Sequence, residues 1–283
     1  MKIAAIQMRS APEPEANLAA LAPLVARAAA AGAQYVLTPE VTVAFAADRE
    51  QLAGVAGGFA DNPALLRAAE LAREHQIYLH IGSLAVALPD GRFANRSVLF
   101  TPQGAIAATY DKIHLFDATI AGLSAYRESE TYRGGEEAVT ARMGAWTLGF
   151  AICYDMRFPA LFAALAKAGA NLLAIPAAFT VPTGQAHWEV LLRARAIETG
   201  SYVIAAAQGG QHGNGRATYG HSMIIDPWGK IIAELAHDEP GVAVAEIELE
   251  RVDEARRRIP ALQNARNFVV GGGLPPAQAD LYP

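Results

Sequence analysis

The most reactive side chain in this sequence belongs to its lone cysteine. Cys153 lies in the run Gly149-Phe150-Ala151-Ile152-Cys153-Tyr154-Asp155-Met156-Arg157-Phe158-Pro159. An apolar stretch precedes it, and Pro159 suits the first turn of a following helix. The cysteine therefore falls in a tight strand-to-helix bend. Such a bend presents its side chain at the strand end and turns backbone N–H groups toward a developing oxyanion. A thiol placed there can act as a nucleophile; a buried small hydrophobe is the other reading of the same position. Glu40 closes the apolar run Tyr35-Val36-Leu37-Thr38-Pro39-Glu40. A carboxylate partly stripped of water at a strand end is suited to general-base work, and a solvated loop charge is the alternative. Lys112, in Tyr110-Asp111-Lys112-Ile113-His114, either adds a cation to these two or pairs with Asp111 at the surface. All three follow apolar strand candidates, where sites of α/β proteins gather, yet spacing alone does not bring them together.

The elements that must position them alternate along the chain. Strands are expected at Ile3–Gln7, Tyr35–Leu37, Ile77–Ser83, Leu148–Ile152, Leu172–Ile175 and Tyr202–Gln208, with helices over Asn17–Ala31, Pro63–Glu74, Pro159–Ala168 and Trp188–Glu198. That alternation predicts βαβ units in an α/β protein. Two tight turns interrupt it, Thr101-Pro102-Gln103-Gly104 and Asp226-Pro227-Trp228-Gly229, each with the Pro and Gly of a type I turn and each joining two apolar runs. Ser97, Pro102, Gly104 and Ile106 match Ser222, Pro227, Gly229 and Ile231 at one constant offset. Leu65-Leu66-Arg67-Ala68 is echoed by Leu191-Leu192-Arg193-Ala194, and Gly32-Ala33 with Pro39 by Gly169-Ala170 with Pro176. The order of these echoes predicts two similar β-α-β-α-hairpin halves, the second starting near Thr147. Each half would leave one sheet face bare, and packing the bare faces together gives a four-layer αββα sandwich. No Pro/Gly/Ser-rich linker divides the halves, so residues 1–283 read as one domain. The stretch 269–283, with Gly271-Gly272-Gly273 and Pro275-Pro276, reads as an extended arm.

Composition narrows the class. The 283 residues are 52% hydrophobic and 18% charged, enough apolar content for a large core and too little charge for a disordered chain. A net charge of -5 argues against a nucleic-acid partner. No apolar run is long enough to span a membrane, and Met1 to Arg9 reads as a first strand rather than a signal peptide. A single cysteine forbids an internal disulfide and fits a reducing, cytoplasmic setting. No Cys pair or other metal-ligand spacing is found, so no zinc site is expected.

Pro39-Glu40, Tyr110-Asp111-Lys112-Ile113-His114 and Ile152-Cys153-Tyr154-Asp155-Met156-Arg157-Phe158 resemble the three signature segments of the carbon–nitrogen hydrolase (nitrilase) superfamily. The resemblance runs from Ile3 to Tyr282. It implies the αββα sandwich and places a Glu-Lys-Cys triad on Glu40, Lys112 and Cys153, with a second glutamate on Glu128. It implies a cofactor-free amidase. Glu40 would take the thiol proton, Cys153 would attack the carbonyl, and Lys112 and the Tyr154 backbone N–H would hold the oxyanion. A thioester would then be hydrolysed by water that Glu40 activates, with Glu128 orienting substrate or water.

The second half, from Thr183-Gly184-Gln185-Ala186-His187-Trp188 to Tyr219-Gly220-His221-Ser222-Met223, resembles the Nit branch of that superfamily. This implies a small anionic 2-oxo amide as substrate, deaminated glutathione ahead of 2-oxoglutaramate, and pairing into a homodimer or larger even assembly through Phe158–Ala168. An anionic ligand needs local cations when it leaves water. Arg157, four residues past the cysteine, is the first candidate; it either meets a substrate carboxylate or pairs with Asp155. Arg195 and Arg216 are further candidates. Phe179 and Thr180 follow a strand and would wall the site, while His187 either contacts substrate or, with Trp188, starts a helix.

Overall fold

The computed structural model describes residues 1–120 and 125–269. The predicted arm lies outside the described residues from 270 onward. The first half runs β1 (Lys2–Gln7), α1 (Pro14–Ala30), β2 (Tyr35–Leu37), α2 (Arg49–Val55), α3 (Pro63–His75), β3 (Tyr78–Ala87), β4 (Phe93–Phe100) and β5 (Ile106–Asp111). A short ribbon, β6 (Asp117–Ala118) with β7 (Tyr126–Arg127), follows. The second half runs β8 (Thr140–Met143), β9 (Trp146–Phe150), α4 (Pro159–Lys167), β10 (Leu172–Ala174), α5 (Val181–Thr199) and β11 (Tyr202–Ala205). It continues with a ribbon of β12 (Gly209–Gln211) and β13 (Ala217–Tyr219), then β14 (Met223–Ile225), β15 (Ile231–Glu234), β16 (Gly241–Glu246), α6 (Leu249–Arg258) and α7 (Ala261–Asn264).

These strands make two six-stranded sheets, ordered β16-β1-β2-β3-β4-β5 and β15-β14-β11-β10-β9-β8. Each centres on three parallel strands, flanked by an antiparallel hairpin on one side and one antiparallel strand on the other. Period-two alternation assigns the faces. Ala4, Ile6 and Val36 pack against Leu21 and Val25 of α1 and Leu65 and Leu71 of α3. Ile3, Ala5, Tyr35 and Leu37 point the other way, into one core with Phe150, Ile204 and Trp188. The result is the expected helix–sheet–sheet–helix stack, with both sheets' inner faces dry. Both predicted turns close with the i+3 hydrogen bond, Gly104 N–H to Thr101 O at 2.8 Å and Gly229 N–H to Asp226 O at 2.9 Å.

Several details differ from the sequence reading. The strands expected at Ile77–Ser83 and Tyr202–Gln208 are present as β3 and β11, but they join each half's parallel set before its hairpin, so the β-α-β-α-hairpin pattern gains a strand, and the second half begins at Thr140 rather than near Thr147. β16 crosses back and pairs with β1, from Lys2 opposite Glu246 to Gln7 opposite Gly241, so the halves are stitched by backbone hydrogen bonds. The helix expected from Trp188 begins at Val181, because Pro182 sits in its first turn, where a missing N–H is harmless. Gly184, which looks like a helix breaker, is needed for contact: a Cβ there would lie 2.3 Å from the Tyr219 ring. The Leu65 and Leu191 echo is not a register match, since Leu66 is exposed and Leu192 is buried.

Candidate active site

Glu40 leaves the end of β2 in a turn pinned from several sides. Gly82 packs against the carbonyls of Thr38 and Pro39 so closely that a Cβ would stand 1.9 Å from the Thr38 oxygen. Val41 adopts a left-handed φ of 51°, rare for a β-branched residue, and its N–H donates to Ser83 Oγ at 2.9 Å. The Gln208 amide donates to the Glu40 carbonyl at 3.0 Å. This backbone buries the Glu40 carboxylate. Its Oε1 accepts from Lys112 Nζ at 2.9 Å and Asn95 Nδ2 at 3.0 Å, and its Oε2 accepts from the Ala178 backbone N–H at 2.9 Å.

Lys112 follows β5 and is 2% exposed. Its ammonium spends its donors on carboxylates: Glu40 Oε1, Glu128 Oε2 at 2.8 Å and Glu128 Oε1 at 3.1 Å. Burial alone would lower its pKa, but Glu128 and Glu40, with Cys153 beside them, hold it well above the ordinary lysine value. Lys112 is thus a fixed cation. Asn95 donates at 3.2 Å to Glu128 Oε1 as well, so one amide bridges both glutamates. Glu128 also accepts from the Phe116 N–H at 2.6 Å.

Cys153 closes β9 in a short 3₁₀ turn, Cys153–Arg157, with a left-handed φ of 49°. A non-glycine residue held there stores strain of roughly 1–3 kcal/mol, which the surrounding bonds must offset. The Cys153 N–H donates to the Pro176 carbonyl at 2.8 Å. The buried Asp155 accepts from the Ile152 N–H at 2.9 Å and the Tyr110 hydroxyl at 2.7 Å, and from both the His114 N–H at 3.0 Å and its Nδ1 at 2.7 Å. Tyr110 and His114 bracket Lys112, so one carboxylate clamps the lysine segment to the cysteine bend. Burial raises the Cys153 thiol well above its usual value, and Glu40 raises it further by its charge and a hydrogen bond. Lys112 and the Ala178 N–H pull it back only in part. The cluster at rest is a thiol beside a carboxylate–ammonium–carboxylate chain. That arrangement can pass a proton from sulfur to Glu40 as the sulfur attacks.

A cleft of about 700 Å³ opens over Cys153, with Glu40, Asn95, Lys112 and Glu128 at its base. A recess of about 20 Å³ shares Cys153, Phe116, Ala178 and Thr180 with it and is lined by Tyr154, Arg157 and Phe179. The Arg157 guanidinium stacks 5.3 Å from the Phe179 ring centroid and 6.0 Å from that of Tyr154. Its Nη2 lies 3.3 Å from His187 Nδ1. The alternative pairing of Arg157 with Asp155 is not made, because Asp155 is filled by Tyr110, His114 and Ile152. His187 is exposed on α5 and lines neither space; it touches Arg157. Arg195 is buried behind the bend, donating to Met156 O at 2.8 Å and pairing with Glu198, so it braces the bend rather than facing the cleft. Both carboxylates of the cluster are taken by Lys112, and among the described residues no group of three His, Cys, Asp or Glu side chains is placed for a metal ion.

Three participants escaped the sequence reading: Asn95, the Ala178 N–H and the Asp155 clamp. Asn95 left little signal, because it opens a polar Asn95-Arg96-Ser97 run within its strand. Its Oδ1 is buried without a partner, a penalty of about 1–3 kcal/mol accepted to aim the amide at two carboxylates.

The chain is similar to known proteins over most of its length. The carbon-nitrogen hydrolase family model matches residues 2–257. Deaminated glutathione amidase from Bos taurus is 40% identical over 276 residues, covering 95% of this chain and 83% of that protein. The crystal structure of the C. elegans NitFhit protein superposes with a TM-score of 0.86 at 37% identity, covering 94% of this chain; the chain spans 65% of that protein's length. An amidase from Nesterenkonia sp. AN1, solved as a glutamate-to-glutamine mutant with the acetamide moiety of fluoroacetamide covalently added at its active site cysteine, superposes with a TM-score of 0.78 at 27% identity. That match covers 94% of each chain.

Proposed function

The chain belongs to the carbon–nitrogen hydrolase family, and from that premise we propose that it hydrolyses an amide by acyl transfer through Cys153. Glu40 accepts the thiol proton as sulfur attacks the amide carbonyl. The oxyanion takes hydrogen bonds from Lys112 Nζ and the Tyr154 backbone N–H. Lys112 supplies one by releasing the longer of its two bonds to Glu128, at 3.1 Å. Glu40 returns the proton to the nitrogen, the C–N bond breaks, and the acyl group stays on sulfur as a thioester. Glu40 then deprotonates an incoming water, which expels the thiol and releases the acid. Glu128 holds Lys112 and the water in place. The observation that carries this reading is the shared contact of Lys112 with Glu40 and Glu128 beside the buried Cys153 thiol.

The substrate we assign is deaminated glutathione, an anionic 2-oxo amide, because relatives at about this identity over most of their length carry that name. Arg157, stacked on Phe179 at the recess, is placed to neutralise the 2-oxo carboxylate; Thr180 walls both spaces and His187 supports the arginine from outside. The chain works as one domain and pairs as a homodimer or a larger even assembly. The pairing surface is the helix expected over Phe158–Ala168 with α5 packed beside it, where Val190 and Ile197, with Trp228 and Ile259, are large apolar side chains left exposed. The chain's setting, read from its single cysteine, is cytoplasmic. Among the described residues no helix is long and apolar enough to cross a membrane. The test is incubation with deaminated glutathione, 2-oxoglutaramate, neutral amides, nitriles and N-carbamoyl compounds, with products read by mass spectrometry. Faster cleavage of nitriles or neutral aliphatic amides overturns the substrate assignment.

A further inference from the structure

The wide cleft is lined by three guanidiniums that the chemistry above does not use, Arg49, Arg127 and Arg216. Arg49 donates to Gly91 O at 3.0 Å and Arg127 to Tyr126 O at 2.8 Å; of the three, Arg216 is the one backed by aromatic rings among the described residues. Arg216 stands between β12 and β13, and its loop is fastened to the segment after Glu40. Asn214 Oδ1 accepts from the Arg216 N–H at 3.0 Å, and Asn214 Nδ2 donates to Phe45 O at 2.9 Å. The guanidinium carbon lies 5.6 Å from the Phe45 ring centroid and 5.9 Å from that of Tyr126, and Nη2 donates to Ala47 O at 3.2 Å. Phe45 is itself held edge-on by His212, which bonds Ser10 O and Thr218 Oγ1. Two rings and one carbonyl therefore fix the plane of Arg216 while most of its five N–H donors stay available. Among the described residues, no ion pair involves Arg216 or Arg157. The acidic groups lining the same cleft are already engaged: Glu40 and Glu128 by Lys112, and Asp48 by the Gln51 N–H that it caps at 2.9 Å. A preset, unpaired, aromatic-backed guanidinium is a carboxylate receptor.

An amide held at Cys153 has two arms. After the C–N bond breaks, the acyl arm must stay while the amine departs and water enters. The recess beside Arg157, about 20 Å³, admits only the tip of an acyl arm, whereas the cleft holding Arg216 is about 700 Å³ and leads out. The leaving amine therefore occupies the Arg216 side. Resting on the amidase reading above, we propose that Arg216 is a specificity residue that binds a carboxylate borne by the leaving amine. The enzyme then selects amides of amino acids or short peptides over primary amides, whose leaving group is ammonia.

The test uses matched substrates, the 2-oxoglutaryl amides of cysteinylglycine and of cysteinylglycinamide, which differ only in the terminal carboxylate. A charge-assisted bidentate contact should favour the carboxylate form by roughly 10- to 100-fold in kcat/KM. Arg216→Met should collapse that ratio toward one, Arg216→Lys should restore part of it, and Arg216→Glu should invert it. The inference is overturned if wild type shows no preference, or if the preference survives in Arg216→Met. Binding of the same pair to Cys153→Ala protein, with and without Arg216→Met, decides the matter without turnover. A ratio lost in that binding measurement supports the site even if no amide is cleaved, and it is the absence of cleavage that sinks the amidase reading.

Discussion

Lys112→Met is the perturbation that asks most of this site. The ammonium is 2% exposed and sits 2.8–2.9 Å from one buried carboxylate, Glu40, and one partly buried, Glu128. At an effective dielectric near 20, each such contact is a gross attraction of roughly 6 kcal/mol. Desolvation of the three ions takes back most of it, so the measurable quantity is the penalty of orphaning the two glutamates, typically about 3–5 kcal/mol when a buried pair loses one partner. Urea denaturation should show a loss of that size with an unchanged m-value. Lys112 has a raised pKa in the folded state, so its contribution is fully present below the unfolded lysine value and is lost only as pH rises through the folded one. The destabilisation should therefore be flat between about pH 6 and 9. Turnover should fall separately, by at least about 100-fold in kcat, because the oxyanion loses a donor it has only in the transition state. The double variant Lys112→Met/Glu128→Gln removes one orphaned charge and should recover about 2 kcal/mol of stability without recovering turnover. A single variant that loses less than about 1 kcal/mol would refute the buried-pair reasoning. Recovery of kcat in the double variant would refute the oxyanion role.

Other outcomes follow from the same geometry. Cys153→Ala should abolish turnover yet melt close to wild type, and iodoacetamide should inactivate the native enzyme with one adduct that substrate prevents; appreciable activity in the Ala variant would remove Cys153 from the chemistry. Because burial and Glu40 raise the thiol, titration at 240 nm should show no thiolate step at or below the ordinary value of about 8.5, and a step near neutrality would replace the thiol–carboxylate pair by a thiolate–ammonium pair. His80 is fully buried against Phe150, and burial lowers its pKa to about 3. The unfolded chain takes up that proton near pH 6.5 and the folded one does not, so its contribution is intact above pH 6.5 and lost as pH falls toward 3, by on the order of 5 kcal/mol. His80→Gln should flatten that part of the acid-denaturation curve, and an unaltered slope would argue that His80 is protonated in the fold.

Much of this site was legible in the linear sequence because strand ends are local events. An apolar run that stops at Pro39-Glu40, and another that stops at Cys153 before Pro159, announce where side chains leave a sheet, and the ordered echoes announce two sheets. Local cues misled where a residue type had two uses. Pro182 and Gly184 look like breakers, but the proline opens α5 and the glycine lets it approach Tyr219. The crossing of β16 onto β1 left no local mark, since its partner lies at the opposite end of the chain. Partnerships among charges were the least legible. The sequence offered Arg157 as a partner for Asp155 and gave no sign of Tyr110 and His114, and although distance from Cys153 put Arg157 ahead of Arg195 and Arg216, nothing local showed that Arg195 braces the bend while Arg216 faces the cleft. The burial of one arginine behind the bend and of none at the cleft is a property of helix packing. The sequence by itself determined which residues stand at strand ends and what chemistry their types permit. Only the tertiary structure decided which charges meet, because hydrogen bonds of 2.8–3.1 Å between residues as far apart as Glu40 and Ala178 exist only once both sheets are stacked.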